Sequence, residues 1–136
     1  MSVELWTPTP ADETDFIISH LTPCGGAYGS MRLANDDLPF TMVNRVGGGD
    51  DEMEDRAIVS VHHFDKTYTL AKRGAQQRHQ RMLLLKYKAV DVTLSDGSVA
   101  GCDYLKVLQK PIRVDYEQES IQRFVSRYEI GLAPYS

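Results

Sequence analysis

Five of the six residues from Asp50 to Asp55 are acidic: Asp50, Asp51, Glu52, Glu54 and Asp55. They directly follow the triplet Gly47-Gly48-Gly49. Carboxylates at this density could hold Ca²⁺ or Mg²⁺ through oxygen ligands. Their spacing fits no EF-hand loop, and a run of acids is ordinarily a solvated face. The glycines could cradle a phosphate, but the segment lacks spaced glycines, a Lys-Ser/Thr ending and a following helix N-terminus. The neighbouring carboxylates would also repel phosphate. His62-His63, with His20 and His79, could suggest zinc. Adjacent residues of a regular strand point to opposite faces, so His62 and His63 cannot both reach one ion. Ser60, Ser126, Ser136, Cys24 and Cys102 have no nucleophile-elbow motif around them. No catalytic residue, metal or cofactor is expected, and the chain does not read as an enzyme.

The acidic run has a counterpart. Lys66 to Lys88 carries seven Lys/Arg and no acid, in a chain of net charge −4. Direct DNA binding is one use for such a segment. However, its basic residues spread over several helix faces, and no aromatic stacking motif accompanies them. A second use is an ion-pairing surface towards another subunit, carried by Lys72, Arg73, Arg78 and Arg81 and by the acidic loop Gly47–Asp55. A third is simple solubility. Complementary patches on one small chain suit contacts that repeat from copy to copy.

The elements that would carry these groups follow from periodicity. Thr9 can cap a first helix with Pro10 at its first position, and Asp12 and Glu13 favour its dipole. Phe16, Ile17, Leu21 and His20 form its apolar stripe, and Pro23 and Gly25-Gly26 end it. Residues 22–37 read as a loop. Phe40–Val46 and Ala57–Phe64 read as strands of an antiparallel hairpin. The nine-residue connection Gly47–Asp55 is longer than a tight turn needs and reads as a flexible tip. Asp65 can cap a long helix to about Lys86, with Tyr68, Ala71, Ala75, Met82 and Leu83 on one face. Gly74 costs about 1 kcal/mol against Ala in a helix, which marks a close contact there. Strands follow at Ala89–Leu94, Leu105–Tyr116 and Ile121–Leu132. Ser95-Asp96-Gly97-Ser98 signals a hairpin turn, and Pro111 demotes part of the second of these strands to a bulge or edge. The order αββαβββ predicts an α+β fold: a mostly antiparallel sheet of about five strands with two helices packed on one face.

A chain of 136 residues suits one domain, residues 1–136, with a core that needs no staples. Cys24 and Cys102 fit no metal spacing; one disulfide is possible, and two free thiols suit a reducing cytoplasm. No signal peptide and no membrane span is expected.

Pro39-Phe40-Thr41-Met42-Val43-Asn44-Arg45-Val46-Gly47-Gly48-Gly49-Asp50-Asp51 resembles a block in tail terminator proteins of long-tailed phages, particularly those of mycobacteria and their relatives. So do Asp55-Arg56-Ala57-Ile58-Val59-Ser60-Val61-His62, the following Phe64 and helix, and the closing block Ile121, Arg123-Phe124-Val125 and Arg127-Tyr128-Glu129-Ile130-Gly131-Leu132. The resemblance covers roughly residues 12–132 and rests on several blocks in order; no single motif is chemically diagnostic. It implies a structural virion protein that forms a ring, typically a hexamer, at the head-proximal end of the tail tube. Such a ring ends tube polymerisation and meets the head-side connector. The implied partners are further copies of the chain, the tail tube protein and the connector, with DNA passing the channel without specific binding. The implied place is the neck region of the virion tail, assembled in the host cytoplasm. A neck or connector ring protein of related fold is the alternative.

Overall fold

The two cleanest apolar alternations, at 55–65 and 122–132, lie beside each other in one sheet. In the computed structural model, which describes residues 3–4, 11–33, 36–50 and 55–132, β3 (Asp55–Asp65) and β7 (Gln122–Leu132) pair antiparallel from Asp55↔Leu132 to Asp65↔Gln122. The hairpin partner of β3 is β2 (Phe40–Asp50), and β6 (Cys102–Val114) pairs with the other side of β7. A short strand β1 (Ala27–Gly29) adds parallel to the start of β2. The sheet order is β1-β2-β3-β7-β6. A separate two-stranded hairpin, β4 (Val92–Thr93) and β5 (Val99–Ala100), turns at the expected Ser95–Ser98.

Helix α1 (Glu13–Leu21) and helix α2 (Tyr68–Tyr87) contribute to one core with a single face of this sheet. Phe16, Ile17 and Leu21 of α1 and Met82 and Leu85 of α2 meet Val43, Ala57, Val59, Val61, Tyr128, Ile130 and Leu132. Burying such a side chain contributes roughly 1.5–3 kcal/mol. The helices are also latched to each other. His20 Nε2 donates to the Arg81 carbonyl at 2.7 Å, and Arg81 Nε donates to the His20 carbonyl at 2.8 Å. On the opposite face Phe40, Phe64 and Ile121 form a smaller cluster, with the Arg32 guanidinium 5.5 Å above the Phe64 ring.

The α+β class and the five-stranded sheet agree with the sequence reading, and several local assignments change. Asp12 caps α1 by accepting from the Asp15 N–H at 2.9 Å, whereas Thr9 and Pro10 lie outside the described residues. Thr67, not Asp65, caps α2 by accepting from Leu70 N–H at 3.2 Å. Asp65 instead accepts from the next amide, Lys66 N–H, at 2.8 Å. The fifth strand of the sheet is β1, inside the segment read as loop; three residues are too few to show a periodicity. The stripe of α2 is Ala71, Ala75, Arg78, Met82 and Leu85, so Tyr68 is exposed and Leu83 lies at the edge.

Gly74 does mark a close contact. A Cβ there would run into the imidazole of His63. Gly→Ala normally favours a helix by about 1 kcal/mol, but here it forces a fully buried ring to move. Gly74→Ala is expected to destabilise the protein by a net ~1–3 kcal/mol, and the added substitution His63→Ser to recover part of that loss. Urea midpoints check this; a Gly74→Ala protein at least as stable as the parent would overturn it.

Candidate assembly surface

The glycine-rich segment is strand rather than tip. Gly47, Gly48, Gly49 and Asp50 belong to β2 and pair with Ile58, Ala57, Arg56 and Asp55 across a register shift between Arg45 and Gly47. Gly48 has φ +101°, and a Cβ on it would strike the Arg56 carbonyl oxygen. Glycine is needed there for the bulge, not for phosphate. Asp51, Glu52 and Glu54 lie outside the described residues. Asp55 is buried at 5% exposure and accepts from Arg45 Nη1 at 2.9 Å. Glu13 stands 3.7 Å from the same Arg45 nitrogen. Asp55 is therefore engaged inside the subunit at the base of the hairpin, which removes it from the surface role expected of it.

The basic helix divides in the same way. Arg78 is 4% exposed. Its Nη2 donates to the Gly25 carbonyl at 2.6 Å, its Nε to Thr41 Oγ1 at 2.9 Å, and its Nη1 to the Gly74 carbonyl at 3.3 Å and Gln77 Oε1 at 3.1 Å. Arg78 is thus a bracket between α2, β2 and the turn before β1, and the expectation of a surface charge there is corrected. Arg81 is half-buried and held to the His20 carbonyl. Lys72 and Arg73 are exposed and line a shallow groove with Tyr68, Thr69 and Gln76. Lys72 Nζ sits 5.8 Å from the Tyr68 ring centroid, and Tyr68 meets Phe124 edge-on at 5.4 Å. The burial of Arg78 had a sequence signal. Positions 71, 75, 78, 82 and 85 step by four, three, four and three along one helix face, and Arg78 falls on that apolar stripe.

The histidines separate as strand geometry requires. His63 faces the helices, with Nδ1 3.0 Å from Thr41 Oγ1. That hydroxyl already accepts from Arg78, so its own hydrogen goes to His63 Nδ1 and the ring is neutral with its proton on Nε2. Burial, and then the nearby Arg78 charge, push His63 down to about 3. His62 points to the other face, 3.0 Å from Ser60 Oγ. Burial, with Arg123 and Arg127, pushes it down to about 4. His79 Nδ1 stands 2.6 Å from the Tyr128 hydroxyl. Among the described residues no three of His, Cys, Asp and Glu are grouped to hold a metal. Cys24 and Cys102 are free thiols, and burial pushes Cys102 up to about 11.

Two stretches of sheet edge have no strand beside them among the described residues: β2 beyond Met42, where β1 stops, and the outer side of β6. Both carry exposed aliphatic side chains, Val46 on β2 and Leu108 and Ile112 on β6. Exposed strand edges are templates for pairing with another chain. No helix among the described residues is long and apolar enough to cross a membrane.

With this geometry the fold can be compared with known structures. A chain in the virion of a native gene transfer agent particle has a similar fold, with TM-score 0.54 over 83% of this chain and 84% of that chain. The likeness is one of fold. Sequence identity is 14%. No protein-family model matches this chain, and no curated protein matches it in sequence.

Proposed function

We propose that this protein is a structural component of a phage-like virion: the tail terminator, a ring of identical subunits at the head-proximal end of the tail tube. The observation that carries the reading is the fold likeness to a virion chain over 83% of this one. The ordered sequence blocks that resemble tail terminators narrow it to that place, with a neck or connector ring as the alternative. The surface is compatible with such a role. It offers open strand edges, exposed aliphatics and a basic groove, all of which suit repeated protein contacts. In this role the protein acts by binding and performs no bond-making chemistry. Its partners are its own copies, the tail tube protein and the head-side connector. DNA passes the ring without being held, because an acidic protein offers no gain from counterion release.

Lys72 and Arg73, in the groove beside Tyr68, are the basic pair free to meet the tube or connector. Reversing both to Glu is expected to change stability by less than about 0.5 kcal/mol, since exposed charges contribute little to folding. The same double reversal is expected to impair tail completion. Tube lengths in electron micrographs test the function itself. Particles made without this protein should carry tubes of uncontrolled length and no attached heads. Tubes of normal, uniform length in its absence would overturn the terminator reading, and headless tubes of normal length would move it to the connector.

A further inference from the structure

Four strands, β2, β3, β7 and β6, alternate in direction across the sheet. Consequently β2 and β6, at the two sides, run antiparallel to each other. Placing a second copy alongside the first sets its β2 antiparallel to β6, and the alternation continues without a break.

The ladders also fix what comes level with what. Asp50 pairs with Asp55, Asp55 with Leu132, and Leu132 with Cys102. Gly47 leads in the same way through Ile58 and Glu129 to Lys106, and Asn44 through Ser60 and Arg127 to Gln109. The open half of β2 is thus level with Cys102–Gln109 of β6. The rest of β6, Ile112 to Val114, is level with Phe40–Met42, the part of β2 that β1 already occupies. Pro111, which cannot donate to a ladder, sits outside the half of β6 that would pair.

Side-chain chemistry matches along the same line. Val46 is 53% exposed and comes level with Lys106 and Val107, next to Leu108, which is 46% exposed. The Asp50 end of β2 comes level with the Cys102 end of the neighbour's β6. There Cys102 Sγ lies 3.9 Å from the Leu85 carbonyl, which brings in the C-terminal end of α2. That end carries Lys86 and Lys88, both exposed, and Lys106 is exposed on β6 itself; Asp103 is the acid within this stretch. Lys72 and Arg73 lie at the far end of the helix. Near them Tyr68 touches Phe124, which is level with Arg113.

We infer that subunits of the assembly join by antiparallel pairing of the Cys102–Gln109 edge of β6 in one copy with the open half of β2 in the next. Val46 then packs by Leu108, and the Asp50 end of β2 meets the Cys102 end of β6. The inference rests on the ring reading above and names the surface that closes it. The contact is head-to-tail, so it leaves one unused edge at each end until the ring is complete.

The test is site-specific cross-linking of the full chain in a Cys24→Ser/Cys102→Ser background, with Val46→Cys and Leu108→Cys. A short bismaleimide spans the roughly 7–8 Å of a diagonal cross-strand pair. Native mass spectrometry over a concentration series, and with purified tail tubes, reports assembly independently. The expected result is a covalent ladder that ends at the ring size, absent from either single-cysteine protein. Assembly without cross-linking overturns the edge pairing and leaves the ring reading standing. A protein that stays monomeric at high concentration and on tubes overturns both.

Discussion

Replacing Arg78 with Met is expected to cost about 2–4 kcal/mol of stability, among the largest losses for any single charged residue of this chain. Each hydrogen bond to a charged group contributes about 1.5–3 kcal/mol, and an acceptor left buried without a partner costs about 1–3 kcal/mol. Arg78 serves the Gly25 and Gly74 carbonyls and the Thr41 hydroxyl at once, at 4% exposure. Methionine fills much of the volume and relieves the desolvation of the charge, which keeps the loss below the sum of the bonds. The loss should be local as well as global. The Gly25 carbonyl stands just before β1, so amide protection at Ala27–Gly29 is expected to fall first. Arg73→Ala, on the exposed face of the same helix, is expected to stay within about 0.5 kcal/mol of the parent. Urea unfolding of the two variants decides the matter. Equal midpoints would show that the Arg78 bracket contributes nothing, and Arg78 would return to being an ordinary surface charge.

Acid should unfold this protein from the inside. His63 is buried and neutral, hydrogen-bonded through Nδ1 to a hydroxyl that Arg78 also uses. Its folded-state pKa is about 3, against an ordinary value of 6.5. A lowered histidine binds its proton in the unfolded chain first. The stability it contributes is complete above pH 6.5 and is lost as the pH falls from 6.5 towards about 3. Between pH 6.5 and 5 that loss comes to about 2 kcal/mol from His63 alone, at 1.36 kcal/mol per pH unit. His62, pushed down to about 4, and His20, also lowered by burial, add in the same direction. His63→Gln is expected to be less stable than the parent at pH 7.5, with a flatter pH dependence. Denaturant midpoints at intervals from pH 7.5 to 5 test this. Parallel curves for the two proteins would mean that His63 is not held neutral by its surroundings.

Most of the architecture was written in local patterns. The alternations at 57–64 and 121–132, the helical stripe through Ala71, Ala75 and Met82, the Ser95–Ser98 turn and the edge position of Pro111 all follow from periods of two and 3.6 and from turn chemistry. Such features depend on a residue's near neighbours in the chain, so one sequence suffices to show them. The close contact at Gly74 was legible for the same reason: a helix interior tolerates glycine only at a cost, and some neighbour had to justify it.

Charge patterning carried less far, because a formal charge does not say whether it faces water. Asp55 and Arg78 looked like members of two surface patches. In the fold Asp55 is taken up by Arg45, ten residues away, and Arg78 by Gly25 and Thr41, 53 and 37 residues away. Those partners meet only once β2, the segment before β1 and α2 are packed together. The same holds for β1, whose three residues pair with Phe40–Met42 although nothing in their own sequence marks a strand. The open edges of β2 and β6 belong to the sheet order alone. Strand patterns fix which face of each strand is buried, but only the completed tertiary structure decides which strands are left without a neighbour, and here those two edges run antiparallel with their open stretches at one level.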